Sequence, residues 1–194
     1  MARIAPIALD QLSEAQRRLH ERVAKAGRGA AAGPWAVLLR IPEVGERLAA
    51  VVEYLMSQTL VPHNLKRLAI LTIAREYSAQ YEWCVHEPKA RAAGLADEVI
   101  EAIRNGGRPR FRDPDEALVY DMTAEIVRRR SLGAGLHARA VESLGEAPAV
   151  ELITLIGFYI ALAVLLVAYD VEAPNGAVPL AAIDSSRPSV TPAP

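Results

Sequence analysis

The sequence predicts an all-α fold, and three observations lead to this prediction. No stretch of the 194 residues alternates strictly between apolar and polar side chains, as a half-buried strand would. Helix start and stop signals, chiefly prolines at helix starts and glycines after helix ends, recur along the chain. Eighteen uncharged residues, LITLIGFYIALAVLLVAY, lie between Glu151 and Asp170 and predict an apolar helix that supplies the packing seam.

Composition limits the classes of protein to consider. With 194 residues, 52% hydrophobic and 23% charged, the chain has the size and composition of one globular domain. The net charge of −1 gives no basic excess, so the run 128–130 (RRR) is expected to be a solvated helix end and not a nucleic-acid patch. The single Cys84 excludes an intrachain disulfide and a CxxC motif. With no apolar signal segment in residues 1–25, a cytoplasmic location is expected.

The first elements are set by caps and prolines. Asp10 or Ser13 is expected to cap a helix that runs through Ala26 and ends in the glycine-rich GRGAAAGP. Residues 34–39 predict a short helix, and residues 42–58 predict a longer one, each with proline at its first position.

The middle of the chain predicts three helices. Pro62 begins one over LKRLAILTIAREY, where apolar residues recur at helical spacing. The next contains YEWCVHEPKARAA and closes at Gly94. Residues 96–105 form a short amphipathic pattern that Gly106-Gly107 stops.

The last third predicts three more helices. Asp113 followed by proline is an N-cap signal for a helix to Arg130, and residues 136–144 predict another. The apolar helix is expected to begin at Ala147-Pro148 and to end at the turn PNG, residues 174–176. Its length is at the edge of a membrane span, but both flanks are acidic and no Lys/Arg cluster follows. A buried helix, with no membrane partner, is therefore expected.

These signals divide the chain into three parts. An N-terminal helix and glycine-rich linker occupy residues 1–33, a single helical domain occupies residues 34–180, and a Pro/Ser-rich tail occupies residues 181–194. The tail, which ends in SSRPSVTPAP, is expected to be unpacked.

Residues 78–95 (SAQYEWCVHEPKARAAGL) concentrate the chemistry. On a helix, Glu82 and His86 are four residues apart and share a face, so the carboxylate could fix the imidazole tautomer and raise its proton affinity. Pro88 would free the carbonyl of Cys84 and tend to kink the helix. The competing interpretation is an ordinary surface pair without a role. Glu82 and His86 could supply only two metal ligands, and the sequence offers no second pair, so no metal site is expected. Cys84 is expected to be a small, partly buried apolar side chain.

A family resemblance extends this interpretation. LKRLAILTIAREYSAQYEWCVHEPKARAAGL resembles the core motif of the carboxymuconolactone decarboxylase family, which is grouped with the alkylhydroperoxidase D-like proteins. The resemblance continues into residues 34–43 and ELITLIGFYIALAVLLVAYDVEAP, and so covers most of residues 34–180. It implies a single-domain helical bundle that assembles into trimers or hexamers. The matching core positions are Tyr81, Glu82, Trp83, His86, Ala90, Ala93, Gly94 and Leu95.

The departures from the motif select one branch of the family. The peroxidase branch has C-x-x-C-x-x-x-H and an upstream glutamate, and these positions fall on Ala79, Glu82 and Arg67 here. Cys84 is at neither cysteine position. The decarboxylase branch has glutamate four residues before the histidine, which Glu82 and His86 match. The resemblance therefore implies an acid/base site.

The activity implied by this branch is a cofactor-independent decarboxylation, without metal, of a small carboxylated lactone or a related intermediate of aromatic catabolism. By that analogy His86 is the general acid/base, and Glu82 orients it and holds its charge. Arg67, with Lys66 and Arg75 nearby, is the expected cation for the substrate carboxylate. The expected substrate-binding residues are Tyr81, Trp83, Arg67 and His63. The alternatives are a thiol peroxidase, which lacks its CxxC, and a non-catalytic oligomeric binding protein.

Overall fold

The fold is all-helical, as predicted. The computed structural model describes residues 3–26 and 32–181, and within these ranges it contains helices and no strand. The predicted linker residues 27–31 and the tail beyond residue 181 lie outside the described ranges. The α-helices are α1 Glu14–Lys25, α2 Pro34–Leu38, α3 Pro42–Ser57, α4 His63–Glu76, α5 Gln80–Ala92, α6 Asp97–Arg104, α7 Pro114–Arg129, α8 Ala134–Leu144 and α9 Glu146–Ala168. Single 3-10 turns occur at Leu9–Gln11 and Pro174–Gly176.

The helix starts follow the local signals of the sequence. Of the two candidate caps, Ser13 begins α1: its hydroxyl accepts from the N–H of Gln16, and the Gln16 side chain accepts from the N–H of Ser13. The Asp113 side chain accepts from the N–H of Asp115 at 2.9 Å and caps α7. Pro88 lies inside α5, which continues to Ala92.

The end of α9 differs from the prediction. The helix ends at Ala168, before the PNG turn, because Asp170 adopts a left-handed conformation with φ of 47°. The N–H of Val171 then donates to the carbonyl of Leu166, and the N–H of Asp170 donates to that of Val167, which is a Schellman ending. Arg3 holds the Asp170 carboxylate at 2.6 Å. The sequence suggested no stop here because aspartate is an uncommon residue at this position.

α4 lies at the centre of the bundle, and α9, which was predicted to supply the packing seam, packs against α2, α3, α4, α5 and α8. α4 packs against α5, α6, α7 and α9. Its residues 68–74 are all buried, so side chains on every side of this segment are inside the protein. One consequence is that polar groups on α4 must find partners within the fold or face a cavity.

α9 is apolar all round but is buried on one face only. Leu152, Ile156 and Leu162 are buried, whereas Val150 and Val164 on the opposite face are exposed. Within the described ranges, α9 alone is long and apolar enough to cross a membrane by length and composition. Its 18-residue window has a mean hydropathy of 2.5, and 39% of the window is buried. The expected burial of this helix is therefore met on one face.

Candidate functional site

A cavity of about 210 Å³ lies among α2, α3, α4, α5 and α9. Its apolar side comes from α2, α3 and α9, and its polar side comes from α4 and α5. The described lining residues are Ala26, Pro34, Trp35, Val52, Met56, Arg67, Tyr81, Glu82, Val85, His86, Lys89, Tyr159, Leu162 and Leu166. Four residues predicted for substrate or proton chemistry thus line this cavity: Arg67, Tyr81, Glu82 and His86.

An arginine fixes the protonation of His86. Arg67 Nη1 lies 2.8 Å from His86 Nδ1. A guanidinium only donates, so Nδ1 accepts and the ring hydrogen is on Nε2. The pKa of His86 is held well below its ordinary value by burial first, and then by the positive charges of Arg67 and Lys89. The site therefore contains a neutral imidazole of defined tautomer.

Glu82 is a buried carboxyl that forms no ion pair with the residues that the structure describes. Its side chain is 3% exposed, and Oε2 has no hydrogen-bond partner among the described residues. Burial raises the pKa of Glu82 well above its ordinary value, because removing the carboxylate from water disfavours the charged form. The buried environment therefore favours the neutral carboxylic acid over the carboxylate.

The predicted relation between Glu82 and His86 needs correction. The two residues share a face of α5, as expected, but no hydrogen bond joins them in the part of the chain described. The ring nitrogen is held instead by Arg67, which reaches it across 19 residues of sequence. The pKa of His86 is lowered and not raised, first because the ring is removed from water and then because the charges of Arg67 and Lys89 are positive. Glu82 is thus neither the orienting group nor the counter-charge.

Two polar cavity residues, Tyr159 and Lys89, were missed by the sequence analysis. The Tyr159 ring packs edge-on against His86, with ring centroids 5.3 Å apart, and Tyr159 is buried in α9. A tyrosine within an otherwise apolar run was the available signal, because a buried hydroxyl usually serves a polar neighbour. Lys89 also lines the cavity, and its spacing of three residues from His86 placed it on the same helical face.

Trp83 and His63 do not line the cavity, contrary to prediction. Trp83 is fully buried on another face of α5, where Nε1 donates to Glu87 at 2.9 Å and Arg104 lies 5.2 Å over the ring. Adjacent helical residues point about 100° apart, so Trp83 cannot share the face of Glu82. His63 is exposed at the first residue of α4, one turn before Arg67.

The other cations near Arg67 in sequence also have different roles. Lys66 is buried and its Nζ donates to the carbonyl of Met56 at 3.4 Å, next to the C-terminus of α3. Arg75 donates through Nη1 to the carbonyl of Ala181 at 2.7 Å. Of the three candidates from sequence, Arg67 is therefore the one that lines the cavity.

Cys84 is half-buried and is not a lining residue. Its thiol pKa is raised, first by burial and then by the negative charge of Glu87. Since the thiolate is the nucleophile, this environment makes Cys84 less reactive than a free thiol. No group of three or more His, Cys, Asp or Glu side chains suited to a metal ion occurs in the described ranges.

Tyr81, which was predicted to bind substrate, lines the cavity and is packed against Gly33. Gly33 has φ of +60°, and a Cβ at this position would overlap the Tyr81 ring. Position 33 therefore requires glycine for two reasons: its backbone conformation is left-handed, and the Tyr81 ring occupies the space of a Cβ atom.

Gly33→Ala is expected to lower the free energy of unfolding by about 1–3 kcal/mol, from backbone strain alone, and to displace Tyr81. Gly135→Ala in α8 is the matched control, because nothing lies within 4 Å of its Cβ position and its φ is ordinary. The control should be neutral or up to about 1 kcal/mol more stable. Urea unfolding measures both, and equal stability of the two variants would contradict the prediction.

Comparison with known proteins adds no family. No protein-family model matches the chain, and no curated protein matches it significantly. The resemblance to the carboxymuconolactone decarboxylases accordingly rests on the quoted residues.

Proposed function

We propose that this protein is a cofactor-independent enzyme that decarboxylates a small carboxylated lactone, or a related intermediate of aromatic catabolism, by proton transfer. The proposal includes a helical bundle of the alkylhydroperoxidase D-like type. The observation that carries the proposal is the meeting, in one small cavity, of a guanidinium, a neutral imidazole and an uncompensated carboxyl.

The cavity suits a small anion with an apolar ring. Arg67 uses one N–H on His86 and has others for a substrate carboxylate, since a guanidinium has five donors. Lys89 adds a second cation to the wall. Side chains such as Trp35 and Leu162 provide apolar contact for a ring.

Decarboxylation beside a conjugated lactone requires a hydrogen-bond donor and a proton donor, and the cavity side chains can supply both. The electron pair of the breaking C–C bond moves toward the lactone carbonyl, where a hydrogen-bond donor stabilises the developing negative charge. The Nε2–H of His86 is such a donor. A proton must then reach carbon from a neighbouring acid.

A substrate screen tests the proposal. Purified protein is incubated with butenolides that carry a ring carboxylate, with β-keto acids, and with the same rings lacking the carboxylate. CO2 release and the loss of ultraviolet absorbance are measured. We expect turnover of at least one carboxylated ring and none of its uncharged analogue. Binding without turnover across the panel would instead favour the non-catalytic binding protein.

Cys84→Ser is expected to leave turnover within a few-fold of wild type, because the thiol lies outside the cavity lining and burial disfavours its thiolate. The same variant and the wild type are assayed for peroxide reduction with a dithiol donor, and neither should reduce peroxide. A loss of more than about a hundredfold in Cys84→Ser, with the fold retained, would restore the peroxidase alternative.

We further propose a cytoplasmic homo-oligomer, a trimer or hexamer, with no nucleic-acid or membrane partner. The exposed apolar residues of α9, among them Val150 and Val164, favour burial against another copy. Expression without detergent should yield a sedimentation mass that is a multiple of 21.0 kDa. Recovery of the protein in the membrane fraction alone would contradict this prediction.

A further inference from the structure

The hydrogen bond between Arg67 and His86 limits what the imidazole can do. To give a proton to a substrate, histidine normally becomes an imidazolium first, with hydrogen on both ring nitrogens. Here Nδ1 already accepts an N–H of Arg67. Protonation of Nδ1 would place the second ring hydrogen directly against that donor. The neutral ring could release its Nε2 hydrogen only by forming an imidazolate, which is far outside the ordinary range of histidine. His86 is thus a hydrogen-bond donor and not a proton carrier.

The wall of the cavity contains one carboxyl among its described residues, that of Glu82. Its Oε2 is buried and has no partner in the described ranges, although almost all buried polar atoms are satisfied. If the Glu82 carboxyl is protonated, its Oε2 can form a hydrogen bond with a ligand in the cavity. The phenols of Tyr81 and Tyr159 are weaker acids, with ordinary pKa values near 10.

We propose that Glu82, in place of His86, is the catalytic proton carrier of this site, and that Arg67 is a positioning residue that keeps His86 a neutral Nε2–H donor. The inference rests on the proposed function for its reaction and on the cavity geometry for its residues. It reverses the roles that the spacing of Glu82 and His86 alone would assign.

The step balances without a cofactor. As the C–C bond to the carboxylate breaks, CO2 leaves and its bonding pair forms an enolate of the lactone, stabilised by His86 Nε2–H. The Glu82 hydroxyl then gives its proton to the enolate carbon, forming a C–H bond and the Glu82 carboxylate. The solvent then returns a proton to Glu82. In the net reaction, the substrate carboxylate and one proton give CO2 and the decarboxylated lactone.

The protonation states can be tested without a substrate. The infrared carboxylic-acid band of the wild type at neutral pH should be lost in Glu82→Gln and retained in Glu87→Gln. Glu87 is the matched control because it is on the same helix, and its pKa is lowered by Trp83 and arginine hydrogen bonds that outweigh burial. Nitrogen NMR of labelled histidine should show hydrogen on Nε2 of His86, and Arg67→Met should produce a mixture of tautomers.

The catalytic role is tested with a butenolide that the substrate screen identifies. In heavy water, Glu82→Gln should lower the rate at which deuterated product forms by about 10²–10⁴-fold, and Glu87→Gln should leave that rate unchanged. Wild-type turnover should fall as pH rises through the raised pKa of Glu82. The other titratable groups facing the cavity are Arg67 on α4, Tyr81, His86 and Lys89 on α5, and Tyr159 on α9; α2 and α3 contribute none.

The outcomes separate this inference from the proposed function. Loss of the acid band together with loss of deuterium transfer in Glu82→Gln supports it. An ionised Glu82 at neutral pH, a protonated His86 Nδ1, or unchanged transfer in Glu82→Gln each overturns it. If no lactone or keto acid is turned over, the proposed function and the proton-carrier role fail together, whereas the spectra still decide whether Arg67 sets the His86 tautomer.

Discussion

Glu82→Gln and His86→Gln are expected to change the pH dependence of stability in opposite directions. The pKa of Glu82 is raised in the folded protein, so its contribution to stability is full below its ordinary value of about 4.5. That contribution is lost as pH rises toward the folded pKa, by about 1.4 kcal/mol per pH unit. The pKa of His86 is lowered, so its contribution is full above about 6.5 and is lost as pH falls.

Between pH 4.5 and 6.5 these two contributions oppose each other in the wild type. Glu82→Gln removes the first, and the free energy of unfolding should then rise with pH relative to wild type. His86→Gln removes the second, and the free energy should fall with pH relative to wild type. Each relative slope has an upper limit of about 1.4 kcal/mol per pH unit in size, the value for one proton. Neither pKa shift is caused by the other group, so one variant leaves the other shift in place.

Urea unfolding of the wild type and both variants across this range measures the effect. Glu87→Gln is the control: its pKa is lowered in the folded state, so its contribution is full above about 4.5 and is lost only at lower pH. Its curve should therefore run parallel to wild type between pH 4.5 and 6.5. Parallel curves for Glu82→Gln would show that Glu82 is ionised in the folded protein.

Turnover of an identified lactone should fall steeply in both cavity variants. Glu82→Gln should lose about 10²–10⁴-fold because it removes the proton carrier. His86→Ala should lose about 10²–10³-fold because it removes a donor to the developing negative charge. The double variant should be little worse than the worse single one, because both groups act on the same enolate and their effects are then not additive.

Circular dichroism should be unchanged in these variants, because neither side chain caps a helix and no hydrogen bond joins Glu82 to His86 in the described ranges. Cys84→Ser is the activity control from the same helix and should remain within a few-fold of wild type. Near-wild-type turnover in His86→Ala, with the fold intact, would show that the motif has a structural role and would remove the proposed enzyme mechanism.

The sequence by itself determined the features that depend on neighbours in the chain. The cap at Asp113 was predicted, and Ser13 was one of two predicted caps for α1, because the N–H donors of such caps lie within three residues. The shared face of Glu82 and His86 follows from helical spacing alone. The all-α class followed from many such signals that agree.

Only the tertiary structure decided which groups meet and which are removed from water. Arg67 reaches His86 from another helix, Trp83 takes a face away from the cavity, and one of two apolar faces of α9 enters the core. The protonation of Glu82 also depends on burial by residues distant in the chain. The physical reason is that electrostatic and desolvation energies depend on distance in space and on the surrounding medium, whereas spacing in the sequence fixes only the position on a helix.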